Sequence, residues 1–353
     1  MIHILAWVIG LTLLGIALGA VYQIAGTRRD QERFPPPGRL IDLGTHRLHL
    51  YETGGNGPTI LLEAGLMSTI LSWSGLQQEL SRSFRVVSYD RAGLGWSDLG
   101  PMPRTAERIV EELNTLLESA DIPGPYVLVG HSFGGLTMPL FAARFPEKVA
   151  GVVLVDPVAA AEWNPPSAHD LKQTRIGATV CRRAAWLAHI GFIRFVAALL
   201  TTRARKVAAG LVRLISRGAP EESGTVSSPW FAALPPEERE MAAVFWIQPK
   251  FALTIASQLE NLPVSAARVA EFPVCTDKPV AVLSARTAPE HRQKEHAAMA
   301  ARLPLGKHLL VGHSNHWIMQ EDPALVVREI RNIVETSPAF RKTGLAAASN
   351  KNE

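Results

Sequence analysis

Short, almost wholly apolar runs recur along this chain with helix-like segments between them, and that alternation restricts the fold more than any other feature. Thr59–Glu63, Phe84–Tyr89, Tyr126–Gly130 and Val149–Val155 are such runs. A strand covered on one face alternates apolar and polar side chains. These runs do not alternate, so both of their faces must be buried. Between them, Glu107–Ala120 carries Ile109, Leu113, Leu116 and Leu117 at helical spacing. The pattern predicts an α/β fold, a mainly parallel sheet flanked by helices. His46–Tyr51, with Leu48 and Leu50 among polar residues, is expected as a half-exposed strand.

From Ala159 to Glu271 the alternation stops, and helices are expected over Leu171–Ile190, Phe192–Ile215, Pro235–Phe245 and Phe251–Leu262. Ser216–Ser228, rich in Gly and Ser, is expected as a mobile link. Strand and helix resume with Pro279–Leu283, Glu290–Arg302, Lys307–Val311 and Pro323–Glu335. The expected division is therefore a core of residues 38–158 and 272–336, a helical cap inserted at 159–271, and a disordered tail at 342–353.

Residues 1–27 form a separate N-terminal element. Ile2 to Gly26 is apolar except for His3, Thr12 and Gln23, and it carries no formal charge. As a helix it would outreach the roughly 30 Å hydrocarbon core, which suits a tilted single-pass membrane anchor in contact with lipid. A cleaved signal peptide is the competing reading, but it calls for a positive start and a shorter apolar stretch. Arg28 and Arg29 follow the run and nothing basic precedes it, which places the rest of the chain in the cytoplasm. Pro35-Pro36-Pro37-Gly38 then acts as a short stiff spacer.

The chemistry centres on Gly130-His131-Ser132-Phe133-Gly134, set between an apolar strand and a helix. A serine on a tight strand-to-helix turn needs small neighbours, and Gly130, Gly134 and Gly135 supply them. Its hydroxyl needs a base, and Leu309–Ile318 holds two histidines, His313 and His316. His316, at the mouth of the loop into the last helix, is the expected base, with His313 a neighbouring donor.

With Asp90-Arg91-Ala92-Gly93-Leu94-Gly95-Trp96-Ser97 added, the chain resembles the α/β-hydrolase superfamily from about Gly38 to Val334, apart from the insertion. The Asp90–Ser97 segment is similar to the superfamily's D-x-x-G-x-G-x-S turn. The resemblance implies a Ser132 nucleophile and an oxyanion hole made by the backbone N–H groups of Leu66 and Phe133. Glu63-Ala64-Gly65-Leu66 stands where many members have a His-Gly pair, and the Glu63 side chain is expected in a hydrogen-bond network behind that loop. The triad acid of most members follows the strand equivalent to Val280–Leu283, where this chain has no Asp. A minority take it from the preceding strand end, which here is Asp156; Asp156 is the expected acid and Glu290 the alternative.

A serine in this position implies an acyl-enzyme, whereas dehalogenases and epoxide hydrolases of the fold attack with a carboxylate. The expected activity is that of a carboxylic ester hydrolase, an esterase or lipase-like enzyme on a small apolar ester. A C–C bond hydrolase or acyltransferase on the same triad, or a non-catalytic binding protein, are the alternatives. Trp163, Trp186, Phe192, Phe195, Trp246 and Phe251 give the insertion an apolar stock suited to such a pocket.

Composition removes other classes. The net charge is +4, and the basic excess lies mostly between Arg175 and Arg217, where basic residues and aromatics do not interleave in the way a nucleic-acid groove needs, so no nucleic-acid partner is expected. That stretch could instead face anionic lipid. Cys181 and Cys275 have no metal-binding spacing, and no cofactor or metal is expected.

Overall fold

The structure is a computed structural model, described here for residues 1–55, 57–200, 229–271 and 277–343. The link Ser216–Ser228, the expected helix beyond residue 200, Cys275 and the tail from 344 lie outside the described residues.

Helix α1 (Ile2–Arg33) runs well past the apolar segment. No helix breaker intervenes until Pro35, and the residue before a proline is disfavoured in helical conformation. Eight strands then form one sheet: β1 (Arg39–Asp42), β2 (Arg47–Thr53), β3 (Thr59–Glu63), β4 (Arg85–Asp90), β5 (Tyr126–His131), β6 (Val149–Val155), β7 (Val280–Ala285) and β8 (Gly306–Val311). Their order is β1-β2-β4-β3-β5-β6-β7-β8, antiparallel up to the β2–β4 pair and parallel beyond it.

Successive strand residues point to opposite faces, and both faces are packed. Leu61, Leu128 and Val152 pack on one side with α3 (Ala106–Ser119) and α4 (Gly134–Arg144). Ile60, Val127 and Val153 pack on the other with α2 (Ser74–Leu80) and the helix Pro323–Thr336. Central strands β3, β5 and β6 are buried along their whole lengths, as their mostly apolar sequences require, with Glu63 and His131 buried at the ends of β3 and β5.

Between β6 and β7 the described residues are helical: α5 (Ala168–His189), α6 (Phe192–Leu200), then Pro229–Ala233, Pro236–Trp246, Pro249–Glu260 and Leu262–Ala270. The helix expected over Phe251–Leu262 runs from Pro249 to Glu260, and a second helix, Leu262–Ala270, follows it across Asn261 with Pro263 in its first turn. A proline near a helix start is tolerated, since its missing N–H has no partner there anyway. These helices are tied to the sheet's carboxyl end. Lys250 Nζ donates to Gly95 O (2.8 Å) and Ser97 O (2.7 Å), and Arg104 N donates to Ser257 Oγ (2.9 Å). Burial pushes the Lys250 ammonium down to about 8.

Candidate active site

Ser132 follows the last residue of β5 and has a φ of +53°, the left-handed region that side-chain-bearing residues rarely occupy. Neighbouring strands hold it there: Ser132 N donates to Val155 O (3.1 Å), and its carbonyl accepts from Val158 N (2.7 Å) and Gly135 N (2.8 Å). Close packing explains the glycines. A Cβ on Gly130 would lie 2.7 Å from Gly134 O, and one on Gly135 would lie 2.4 Å from Pro157 Cβ.

Asp156 follows the last residue of β6 and also has positive φ, +41°. Because β5 and β6 are paired with His131 opposite Val155, Ser132 and Asp156 emerge side by side. His316 Nδ1 lies 2.6 Å from Asp156 Oδ2, while Asp156 Oδ1 accepts from Ala285 N (3.0 Å). Burial alone would raise the Asp156 carboxyl. The hydrogen bond and charge of His316 and the Ala285 N–H outweigh it, so the group sits below the usual range. Glu290 is at the surface, paired with Lys294 at 2.7 Å. His313 is exposed. Among the described residues, no hydrogen bond joins the Ser132 hydroxyl to the His316 ring; the two are brought to the same strand ends through His131. That ring's Nε2 donates to His316 O (2.8 Å), and its centroid is 4.6 Å from the His316 ring. Burial drives His131 down to about 3, so it is neutral.

The Glu63–Leu66 loop reaches the same place, since a Cβ on Gly65 would sit 3.3 Å from Ser132 Cβ. Among the described residues, neither Leu66 N–H nor Phe133 N–H donates to a protein acceptor. Beneath the loop lies Arg91, wholly buried with Glu63. Its guanidinium bonds the Glu63 carboxylate and donates to Ala64 O (2.5 Å), Gly65 O (2.5 Å) and Leu66 O (3.1 Å). It also lies 5.2 Å from the Phe133 ring centroid, so one cation touches both segments that carry those N–H groups.

Asp90 organises the neighbouring turn, taking Ile70 N (3.0 Å) and His49 (2.9 Å), and Ser97 Oγ donates to its carbonyl (2.6 Å). His49 is therefore fully buried, which corrects the half-exposed reading of its strand: a paired polar side chain can be interior. A mirrored network lies behind Asp156, where Ser284 Oγ is 2.7 Å from His296 Nδ1 and His296 Nε2 is 2.7 Å from Pro157 O.

A serine on a strained strand-to-helix turn, a carboxylate-bound histidine on a late loop and this strand order coincide with one known arrangement. A profile of the alpha/beta hydrolase fold matches residues 58–180. The protein has the α/β-hydrolase fold. Two solved α/β hydrolases show its extent. A thermophilic esterase from Thermogutta terrifontis is 21% identical with a TM-score of 0.54, covering 83% of this chain and 96% of its own. An epoxide hydrolase from Vigna radiata is 17% identical with a TM-score of 0.61, covering 84% and 97%. In sequence, a probable transporter of Hormonema carpetanum is 40% identical over 125 residues, 33% of this chain and 18% of that protein. The chain spans less than half the length of the curated relatives it matches.

Arg91 and His131 were not singled out from sequence. Each occupies a variable position of a short motif, and only the fold turns their side chains under the loop and behind the histidine.

Proposed function

We propose that this α/β hydrolase is a membrane-anchored serine esterase, with Ser132 as nucleophile, His316 as general base and Asp156 as the carboxylate that orients it. The 2.6 Å bond between His316 and Asp156, beside the strained Ser132 turn, carries the reading. With Nδ1–H held by Asp156, His316 presents Nε2 as the free base. Ser132 Oγ attacks the ester carbonyl as Nε2 takes its proton, and the tetrahedral oxyanion falls to the N–H groups of Leu66 and Phe133. Collapse expels the alcohol, which recovers the proton from His316. A water, deprotonated by the same imidazole, then attacks the acyl-enzyme and releases the acid. A Ser132–His316 bond is required only when substrate is bound, since such bonds often tighten only in the substrate complex.

Residues 159–271 are read as a cap, and α1 as the anchor. Its 32 residues are long and apolar enough to cross a bilayer. Serine at the attacking position favours ester over epoxide chemistry. A fluorophosphonate probe should label the wild-type chain and fail on Ser132→Ala. Asp156→Asn should lower kcat on a p-nitrophenyl ester by ~10³–10⁴-fold, with Glu290→Gln unaffected. Full activity in Asp156→Asn would remove it from the scheme, and a labelled Ser132→Ala would remove the serine.

A further inference from the structure

The C-terminal half of α1 does not stand free. A Cβ on Gly19 would lie 2.1 Å from Ile190 O, and one on Gly191 would lie 2.3 Å from Gly19 O, so the backbones of α1 and the α5–α6 turn touch. Lower down, Arg194 of α6 pairs with Asp30 at 2.7 Å and donates to Gln23 Oε1 (3.1 Å).

This fixes a depth. The apolar run of α1 ends at Gly26, and the charges begin at Arg28 and Arg29. Gly19 lies seven residues deeper along the helix, ~10 Å at helical rise. If the boundary between hydrocarbon and headgroups falls where the charges begin, the α5–α6 turn cannot stay in water, because it touches α1 inside the apolar layer. The side chains agree with that placement. Trp186 is 60% exposed and Phe195 is 51% exposed, a costly surface in water but a suitable one in lipid. Phe192 and Phe195 line an apolar groove against Thr12–Tyr22 of α1. Of the nearby charges, Arg194 reaches back to Asp30 and Arg182 is paired with Glu260 at 2.5 Å; His189 bonds the backbone of its own helix at Ala185 O (2.8 Å), and Arg183, one turn before Trp186, is exposed where it can reach the headgroups.

We infer that the α5–α6 turn is a second membrane element, inserted into one leaflet beside α1 on the side where α1 ends. The depth of ~10 Å suits an interfacial, non-spanning insertion. It rests on the reading of α1 as a membrane span, and it is independent of the catalytic scheme.

The test uses the wild-type full chain in vesicles of phosphatidylcholine and phosphatidylglycerol carrying a diazirine in the acyl chain. After irradiation, adducts are mapped by peptide mass spectrometry. Adducts are expected in α1 and, within a few-fold of the same yield, over Trp186–Phe195, about tenfold above the solvent-facing helix Glu290–Ala301. Adducts in α1 with none over Trp186–Phe195 would overturn the second insertion and leave the anchor standing; this is also the outcome if another copy of the chain covers the face. Adducts in neither would overturn both.

Discussion

Replacing Arg91 with methionine tests how far the site depends on one buried guanidinium. Arg91→Met strands the Glu63 carboxylate in a wholly buried position and removes the donor from the carbonyls of Ala64, Gly65 and Leu66. Breaking a buried ion pair from one side costs about 3–5 kcal/mol. At roughly 2 °C per kcal/mol for a domain of this size, the melting temperature should fall by about 6–10 °C. Burial already pushes the Glu63 carboxyl upward, and Arg91 opposes that push. Without Arg91 the folded state would hold a proton on Glu63 that the unfolded state has released. A carboxyl raised on folding loses stability as pH climbs from its unfolded value to its folded one, so the variant should be less impaired at pH 5.5 than at pH 8. Adding Glu63→Gln removes the stranded charge and should restore about half of the loss and abolish this pH dependence. It should not restore kcat, because the loop bearing Leu66 N–H remains unsupported; a deficit of ~10–100-fold on a p-nitrophenyl ester is expected in both variants. Melting and turnover are read on the detergent-solubilised full chain. Wild-type kcat in the double variant would refute Arg91 as the support of that loop, and an unchanged melting temperature in Arg91→Met would refute the energetic reasoning as well.

Other consequences follow from the same packing. His131 is held neutral, with its protonation displaced from 6.5 to about 3, so its contribution is complete above pH 6.5 and is lost as pH falls from there toward 3. Melting temperatures between pH 4 and 8 should show that decline, and His131→Asn should flatten it. Gly135→Val would drive its Cβ into Pro157, and a loss of at least ~1–3 kcal/mol should appear in denaturant unfolding. Gly19→Leu would part α1 from the α5–α6 turn, and tryptic cleavage at Arg28 and Arg29 should then be several-fold faster than in the wild type.

The central strands were legible because burial on both faces leaves β3, β5 and β6 apolar except for Thr59 and Glu63 at the ends of β3 and His131 at the end of β5, and few other elements produce such runs. The edge strand β1 was not, since Arg39–Asp42 is short, half polar and defined by its pairing with β2. Ser132 and His316 could be named from local pattern. Preferring Asp156 over Glu290 as the proposed acid rests on a long-range fact, that β6 and β7 are neighbours, which places Asp156 N on Leu283 O (2.7 Å) and its carboxylate on Ala285 N. Arg91 was out of reach for the same reason: a side chain 25 residues beyond the loop it supports leaves no periodic trace.

The exit of α1 is gripped from two directions. Arg33 is paired with Glu240 at 2.7 Å on the helical insertion, while Phe34 O accepts from the Trp96 indole at 2.8 Å and Pro37 O meets His49 on the sheet side. A loosely tethered enzyme tumbles beneath its membrane and samples every azimuth. If α1 is the anchor, this grip leaves little swivel, and the strand ends that carry Ser132 would keep a single heading toward the bilayer. Two or three glycines spliced in around residues 33–37 would convert a rigid mount into a leash, with the two kinds of attachment then distinguishable by fluorescence anisotropy in vesicles.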